Sequence, residues 1–406
     1  MYEEIETHLN SDGTEKRCDQ PFSLVKSHVC REVSDFDTKQ TSTCTHIEPD
    51  KVGFLVGHEM TVLSAKWCPS AKRPYILSCS SDGTARLWPI DVRQDILQCA
   101  KEGSEKMVIC KHNMDEQVRD VTCISWSSSG LIFASACSGG IIRLLDISSD
   151  IPKYKHELKG HQNAIMSISF NKKGDLLASA SSDQSVIVWD TANGQIQQIF
   201  AFHCKPVLDV QWRTNESFAS ASMDGTIAFC KLGEEQPKQI FRHNGDINQI
   251  VWDSAGVHLA SASDDYSAKI WTVLSDHPLH SLTHPMNVFA VQWRPEPKGQ
   301  PGRILATLAE DMTLRIWDAE RGKCLHLFKF NDSIYNMSFS PDGVYVAVGS
   351  SDTLFIYETL SGDLNRKFHV GTDIGEINWS PDWTGKQIVT FCLPQQLQIA
   401  IAEPFS

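Results

Sequence analysis

A unit of about forty residues recurs along this chain, and the recurrence leaves few folds open to it. The clearest copy is residues 158–190, LKGHQNAIMSISFNKKGDLLASASSDQSVIVWD. It holds a Gly-His pair, an alternating apolar run ending at Phe170, a turn at Gly174, a second run LLASAS, then Ser182-Asp183 and VIVWD. Alternation with a period of two predicts strands with one face buried, and the Gly and Asp positions supply the turns. One unit cannot bury both faces of its own small sheet, so copies must stack.

The aromatic closing the first run sets the period: Trp67, Trp126, Phe170, Trp212, Trp252, Trp293, Phe339 and Trp379, at steps of 59, 44, 42, 40, 41, 46 and 40 residues. Four strands per unit at this spacing predict propeller blades, and eight aromatics predict eight of them. The expected fold is therefore all-β: a single eight-bladed propeller over residues 46–406. A short, mostly irregular and flexible arm over residues 1–45 precedes it. An open array of sheets would leave reactive edges, so the ring must close. Residues 51–56 have no blade of their own and are expected to form the outer strand of blade eight beside residues 397–402. The long first step comes from residues 89–117, read as a connection between blades one and two that lengthens the outer strands there. The stretch RPEPKGQPGR is read as a loop in blade six.

A second set of residues keeps the same period. A turn Asp recurs at Asp82, Asp183, Asp224, Asp265, Asp311 and Asp352. Six residues after most of these stands a Trp (Trp88, Trp189, Trp271, Trp317), and four before stands a hydroxyl (Ser78, Ser179, Ser220, Ser261, Thr307). A His opens the same five units: His58, His161, His203, His243 and His284. At these residues the sequence resembles the WD40 repeat family, whose His, Ser/Thr, Asp and Trp form a buried hydrogen-bonded tetrad in each blade. The resemblance implies such tetrads here, and the donor and acceptor types permit them. Four blades depart from the pattern. Blade two has Gly139 for the Asp and Leu145 for the Trp, and blade four has Cys230 for the Trp. Blade seven lacks the His and ends on Tyr357, and blade eight has neither Asp nor Trp. Apolar packing is expected to hold these blades.

Composition excludes several function classes. A formal charge of −13 argues against a general or sequence-specific nucleic-acid binder, because phosphate neutralisation needs Lys and Arg. The thirteen cysteines are odd in number, scattered and free of any C-x-x-C pair, so neither a zinc nor a redox motif is indicated and a reducing compartment is expected. The N-terminal MYEEIETHLN is no signal peptide, and no apolar run approaches the ~20 residues that span a bilayer. One Asp and one His per unit lie too far apart around a ring to make an active site or bind one metal ion. No nucleophile elbow, phosphate loop or zinc-protease motif occurs. No catalytic residue, metal or cofactor is expected, and the chain reads as a non-enzyme.

What remains is the loop-built top face of a rigid ring, which suits protein binding. Residues three and five after each His, and the residue before each turn Asp, should face its entrance. The candidates are Asp120, Met166, Leu208, Met223, Asp246, Asn248, Asp264, Asn287, Phe289, Glu310, Tyr335 and Asp373, with Leu63, Thr122 and Gly375 at equivalent positions. Phe289, Tyr335 and the Met residues have the chemistry of interface anchors. Asp246, Asp264, Glu310 and Asp373 are expected to make one side acidic and suited to a basic peptide.

Blade four narrows the resemblance. SFASASMDGTIAFCKLGEEQPKQIF, with CKLG where a Trp-Asp ending is usual, resembles the transducin beta-like corepressor proteins, as do blade three and DMTLRIWDAERGKCLHLF of blade six. The resemblance runs from about residue 47 to the C-terminus. It implies a nuclear scaffold in a nuclear-receptor corepressor and histone deacetylase complex, contacting corepressor and histone tails and linked to ubiquitin-dependent cofactor exchange. The alternative is a substrate receptor or adaptor of a ubiquitin ligase. That family carries an N-terminal LisH segment and an F-box-like region; residues 1–45 show no LisH pattern, so no oligomeric state is assigned.

Overall fold

The computed structural model describes residues 31–34 (as backbone), 52–70, 74–112, 120–149, 152–296, 303–381 and 384–405. The fold is an eight-bladed β-propeller. Each blade is a sheet of neighbouring antiparallel strands, and blades one to eight begin at residues 62, 121, 165, 207, 247, 288, 334 and 377. In blade three the strands Ile165–Phe170, Leu176–Ser181, Val186–Asp190 and Ile196–Phe200 run from the central channel outward.

The sequence of each strand fits its radial place. Second strands such as LLASAS, SFASAS and HLASAS are buried along nearly their whole length. Their Ala and Ser side chains are small because both faces lie against neighbouring blades. Outer strands such as Ile196–Phe200 are half exposed. The aromatics that set the period join blade to blade. The indole N–H of Trp126 donates to the Lys66 carbonyl, that of Trp212 to Ser169, Trp252 to Gln211, Trp293 to Val251 and Trp379 to Ser338, at 2.9–3.3 Å. Each acceptor directly precedes the equivalent aromatic of the previous blade. Trp67 completes the series by donating to the Thr390 hydroxyl of blade eight.

Val52–Val56 is the outer strand of blade eight, antiparallel to Gln398–Ala402, with Val52 opposite Ala402 and Val56 opposite Gln398. The two ends of the propeller thus share one sheet. Residues 1–45 lie outside the described residues except for Arg31–Ser34. These add a fifth strand to blade six, parallel to Lys323–Lys329.

The insertion after blade one differs from the reading above. Most of it folds within blade one, ahead of the passage to blade two. Ile96–Glu105 forms a helix (α1), and Val108–Lys111 is the fourth strand of blade one itself. Ile96, Cys99, Ala100 and Gly103 are the buried residues of α1, at helical spacing. That face lies on the closing strand. A Cβ on Gly53 would stand 2.7 Å from the Ala100 Cβ and from the Ile96 carbonyl oxygen, so only glycine admits the helix there. The helix covers the seam where the ring closes. Of RPEPKGQPGR only Arg294–Glu296 and Arg303 are among the described residues.

Candidate protein-interaction face

One backbone device recurs where the chain reaches the channel mouth. The first strand of each of blades one to seven slips register by one residue near its start. The unpaired residue is Leu63, Thr122, Met166, Leu208, Asn248, Phe289 or Tyr335 in turn. Such a bulge re-aims one side chain out of the pleat. In all of these blades but the second they are the residues five after the opening position, which the sequence singles out by spacing alone; Thr122 lies ten after His112.

The bulges bring distant parts of the chain together. Leu63, Thr122, Met166 and Tyr335, with Gly375, line a cavity of about 360 Å³ at the mouth, above Lys66 and Glu376. Phe289, Glu310 and Tyr335 line a second, of about 210 Å³, between blades six and seven. Tyr335 is 59% exposed and Met166 41%. Leu208, Met223 and Asn287 are half-buried and Asp120 is exposed, and none of the four lines either cavity. Three of the four acidic residues expected along one side of the entrance have polar partners. Asp264 accepts from the Asn248 amide at 2.7 Å and Asp373 from Gln395 at 2.7 Å, while Asp246 lies 3.9 Å from Lys205. Glu310 is exposed.

Polar side chains beneath this face hold its loops. In blade three His161 Nδ1 lies 2.8 Å from Asp183, and Nε2 lies 2.7 Å from the Ser179 hydroxyl. The Trp189 indole N–H donates to that hydroxyl at 2.9 Å. Asp183 also accepts from the Gln162 N–H and from the Ser185 N–H and hydroxyl, so one carboxylate fixes both top loops of its blade. Blade one repeats this with His58, Ser78, Asp82 and Trp88, and blade five with His243, Ser261, Asp265 and Trp271. In blade four His203 meets Asp224 and Ser220, and buried Cys230 stands where the indole would be.

Blade six corrects the tetrad reading. His284 and Trp317 both meet Thr307, but His284 Nδ1 lies 3.0 Å from the Leu282 carbonyl and Asp311 pairs instead with Arg315 at 2.7 Å. In blade one Arg86 meets Asp82 in the same way and His58 keeps its contact, so the difference in blade six lies in the His284 ring, which meets the Leu282 carbonyl. Blade seven replaces the set with aromatics: Phe330 stands at the His position and packs against Phe355 and Tyr357, with ring centroids 5.4 and 6.3 Å away.

Burial holds His58, His161, His203 and His243 below the ordinary imidazole range, although the adjacent Asp pulls the other way. Burial alone would raise the carboxyls, but hydrogen bonds from the ring and turn hold Asp82, Asp183, Asp224 and Asp265 low. Both shifts act in one direction. A His whose folded pKa is lowered loses stability as pH falls below ~6.5, by up to about 1.4 kcal/mol per proton per pH unit; the carboxyls contribute only below ~4. Denaturant midpoints are therefore expected to fall between pH 7.5 and 5.5. A flat profile there would refute the neutral buried imidazoles.

Sequence reasoning missed His112, the opening residue of blade two. It is buried, lies 2.6 Å from the Ser135 hydroxyl and is pushed down to about 3 by burial, with the Arg143 charge adding to this. Its Nδ1 and the Nε of Arg143 are buried without a partner among the described residues, because Gly139 stands where the Asp would be. Gly139→Asp is expected to supply that acceptor and to stabilise the protein by about 1 kcal/mol. A lowered melting temperature would contradict this. The pair Lys111-His112 was the available signal, hidden by the uneven first step. Asp209 was missed too. It is buried in the first strand of blade four and accepts from Ser167 of blade three and the Ile250 N–H of blade five, tying three blades together. Nothing in its spacing marks it.

A ring of antiparallel four-stranded blades, a His-hydroxyl-Asp-Trp set under the top loops and a sheet shared by both ends together define a WD40 propeller. The WD domain, G-beta repeat family model matches residues 49–89, 108–146, 152–190, 194–229, 235–272 and 322–358, and the chain belongs to this family. Within it, the chain is 34% identical over 313 residues to the F-box-like/WD repeat-containing protein TBL1X of Mus musculus, covering 74% of this chain and 57% of that protein. It is 34% identical over 335 residues to the WD40 repeat-containing protein HOS15 of Arabidopsis thaliana, covering 78% and 52%. The chain thus spans little more than half the length of these relatives. The C-terminal WD40 domain of Sif2 superposes with a TM-score of 0.73 at 20% identity, covering 87% of this chain and 98% of that domain, a likeness of fold. No helix among the described residues is long and apolar enough to cross a membrane.

Proposed function

We propose that the chain is a non-catalytic, nuclear protein-interaction scaffold in a nuclear-receptor corepressor and histone deacetylase complex, with the bulged top-face residues as its binding surface. One observation carries the reading: 34% identity to TBL1X along a propeller whose mouth presents Leu63, Met166, Phe289 and Tyr335. The channel mouth has room for a partner's side chains, and the rigid ring beneath orders them at little conformational cost. Corepressor subunits and histone tails are the partners this assigns.

Affinity purification of the full chain tests it. A corepressor and a class I histone deacetylase are expected among the proteins recovered, and fluorescence from the tagged chain is expected in the nucleus. A second reading rests on the words F-box-like in the relative's name: an adaptor that presents substrates to a ubiquitin ligase. Recovery of ligase subunits without a deacetylase would favour it and overturn the first.

A further inference from the structure

In blades one to six the residue after the turn Asp position adopts a left-handed backbone, and the choice of residue there is uneven around the ring: blade three has the exposed, polar Gln184 at φ 73°. Blades one, two and four place glycine at it, Gly83, Gly140 and Gly225, as that conformation favours. Blade five has Tyr266 at φ 66° and blade six has Met312 at φ 59°. Both are large, apolar and exposed, at 53% and 40%. A side chain held in a disfavoured conformation in order to stand in solvent points to a role in binding.

Met312 does not stand alone. Together with Phe289, Ala309, Ile334 and Tyr335 it lines the cavity of about 210 Å³ between blades six and seven, with Glu310 at the rim. Met286, in the loop that opens blade six, is also exposed. Elsewhere on the face Met60 and Met166 are exposed. Flexible thioethers beside aromatics suit an apolar surface that moulds to its partner.

Charge selects that partner. The top turns of blades five to eight comprise residues 243–246, 264–266, 284–287, 310–312, 330–333, 351–352 and 370–373. They carry Asp246, Asp264, Asp265, Glu310, Asp311, Asp332, Asp352 and Asp373, and no Lys or Arg. Asp265 and Asp311 are engaged by His243 and Arg315, whereas Glu310 and Asp332 are exposed.

Resting on the binding-face reading above, we infer that the cup of Phe289, Met312 and Tyr335 takes a short segment of a partner protein bearing one large apolar side chain next to Lys or Arg. The apolar side chain fills the cup and the cation meets Glu310. This is an apolar anchor with basic flanks, and it differs from a purely basic peptide at an acidic entrance.

The test is selection of a random peptide library, about twelve residues long, displayed on phage against the full chain. Anisotropy of the enriched peptides, synthesised with a fluorophore, follows. Enriched sequences are expected to pair an apolar residue with Lys or Arg. Their affinity is expected to fall at least about tenfold with Met312→Gly or Tyr335→Ala, and with Glu310→Lys. Met312→Gly is also expected to leave the melting temperature no lower, since glycine relieves the left-handed turn, so lost binding cannot be ascribed to unfolding. Enriched peptides lost with Leu63→Ala or Met166→Ala but not Met312→Gly would overturn the cup while leaving a top-face binding surface. Purely basic or acidic selections, or no enrichment, would overturn it as well. The proteins recovered by affinity purification are a separate readout and judge the corepressor reading independently.

Discussion

Trp189→Ala is expected to lower the unfolding free energy by about 3–5 kcal/mol, the cost of truncating a buried Trp. The side chain is almost wholly buried, and its N–H is the donor to the Ser179 hydroxyl that also meets His161. Truncation opens a cavity at the blade three core and leaves Ser179 with one partner fewer. Asp183→Ala removes less volume but strands the His161 ring and the Gln162 N–H, which is expected to cost about 1–3 kcal/mol. Urea unfolding followed by tryptophan fluorescence and circular dichroism reads both changes. An unchanged midpoint for Asp183→Ala would refute a structural role for the carboxylate.

Deleting residues 1–56 is expected to have the other large effect: aggregation. Val52–Val56 supplies five residue pairs to Gln398–Ala402, and its Val52 and Leu55 are buried. Burial of two such side chains stabilises by roughly 1.5–3 kcal/mol each. The deletion also removes the surface on which α1 rests. It exposes Ile399 and Ile401 on an unpaired edge, the arrangement that invites strand pairing between molecules. Size-exclusion chromatography should show aggregate in place of the wild-type peak. A deletion variant that elutes like the wild type with a normal melting temperature would mean that the ring does not depend on this closure.

Much of the architecture was legible because blades repeat. Eight aromatics at nearly constant steps identify eight sheets, and the His, Ser and Asp spacings identify which side chains meet in blades one, three, four and five. The misreadings have physical causes. The α1 helix was hidden because its buried residues, Ile96, Cys99, Ala100 and Gly103, lie within a stretch read as a connection that lengthens the outer strands. Asp311 was assigned to His284 because the spacing is that of the other blades, and spacing does not register that the His284 ring meets the Leu282 carbonyl instead. The candidate face was half legible. Counting five residues from the opening position, His161, His284 or Phe330, finds Met166, Phe289 and Tyr335, but the bulges that turn them to the mouth arise from backbone pairing and have no residue signature. Met312 and Tyr266 escaped because their turn position reads as glycine in three other blades, and only the backbone angles show what they tolerate.

The polar sets hold the loops, and the proposed binding surface lies beside them on the bulged residues. Affinity purification of full-length Phe289→Ala/Tyr335→Ala against wild type tests this most directly, with melting temperatures measured in parallel. The double variant is expected to stay folded, with a melting temperature lowered only by the loss of the half-buried Phe289 ring, and to lose the corepressor and deacetylase from the proteins recovered. Recovery of the same partners in the same amounts would contradict the placement of function on this face.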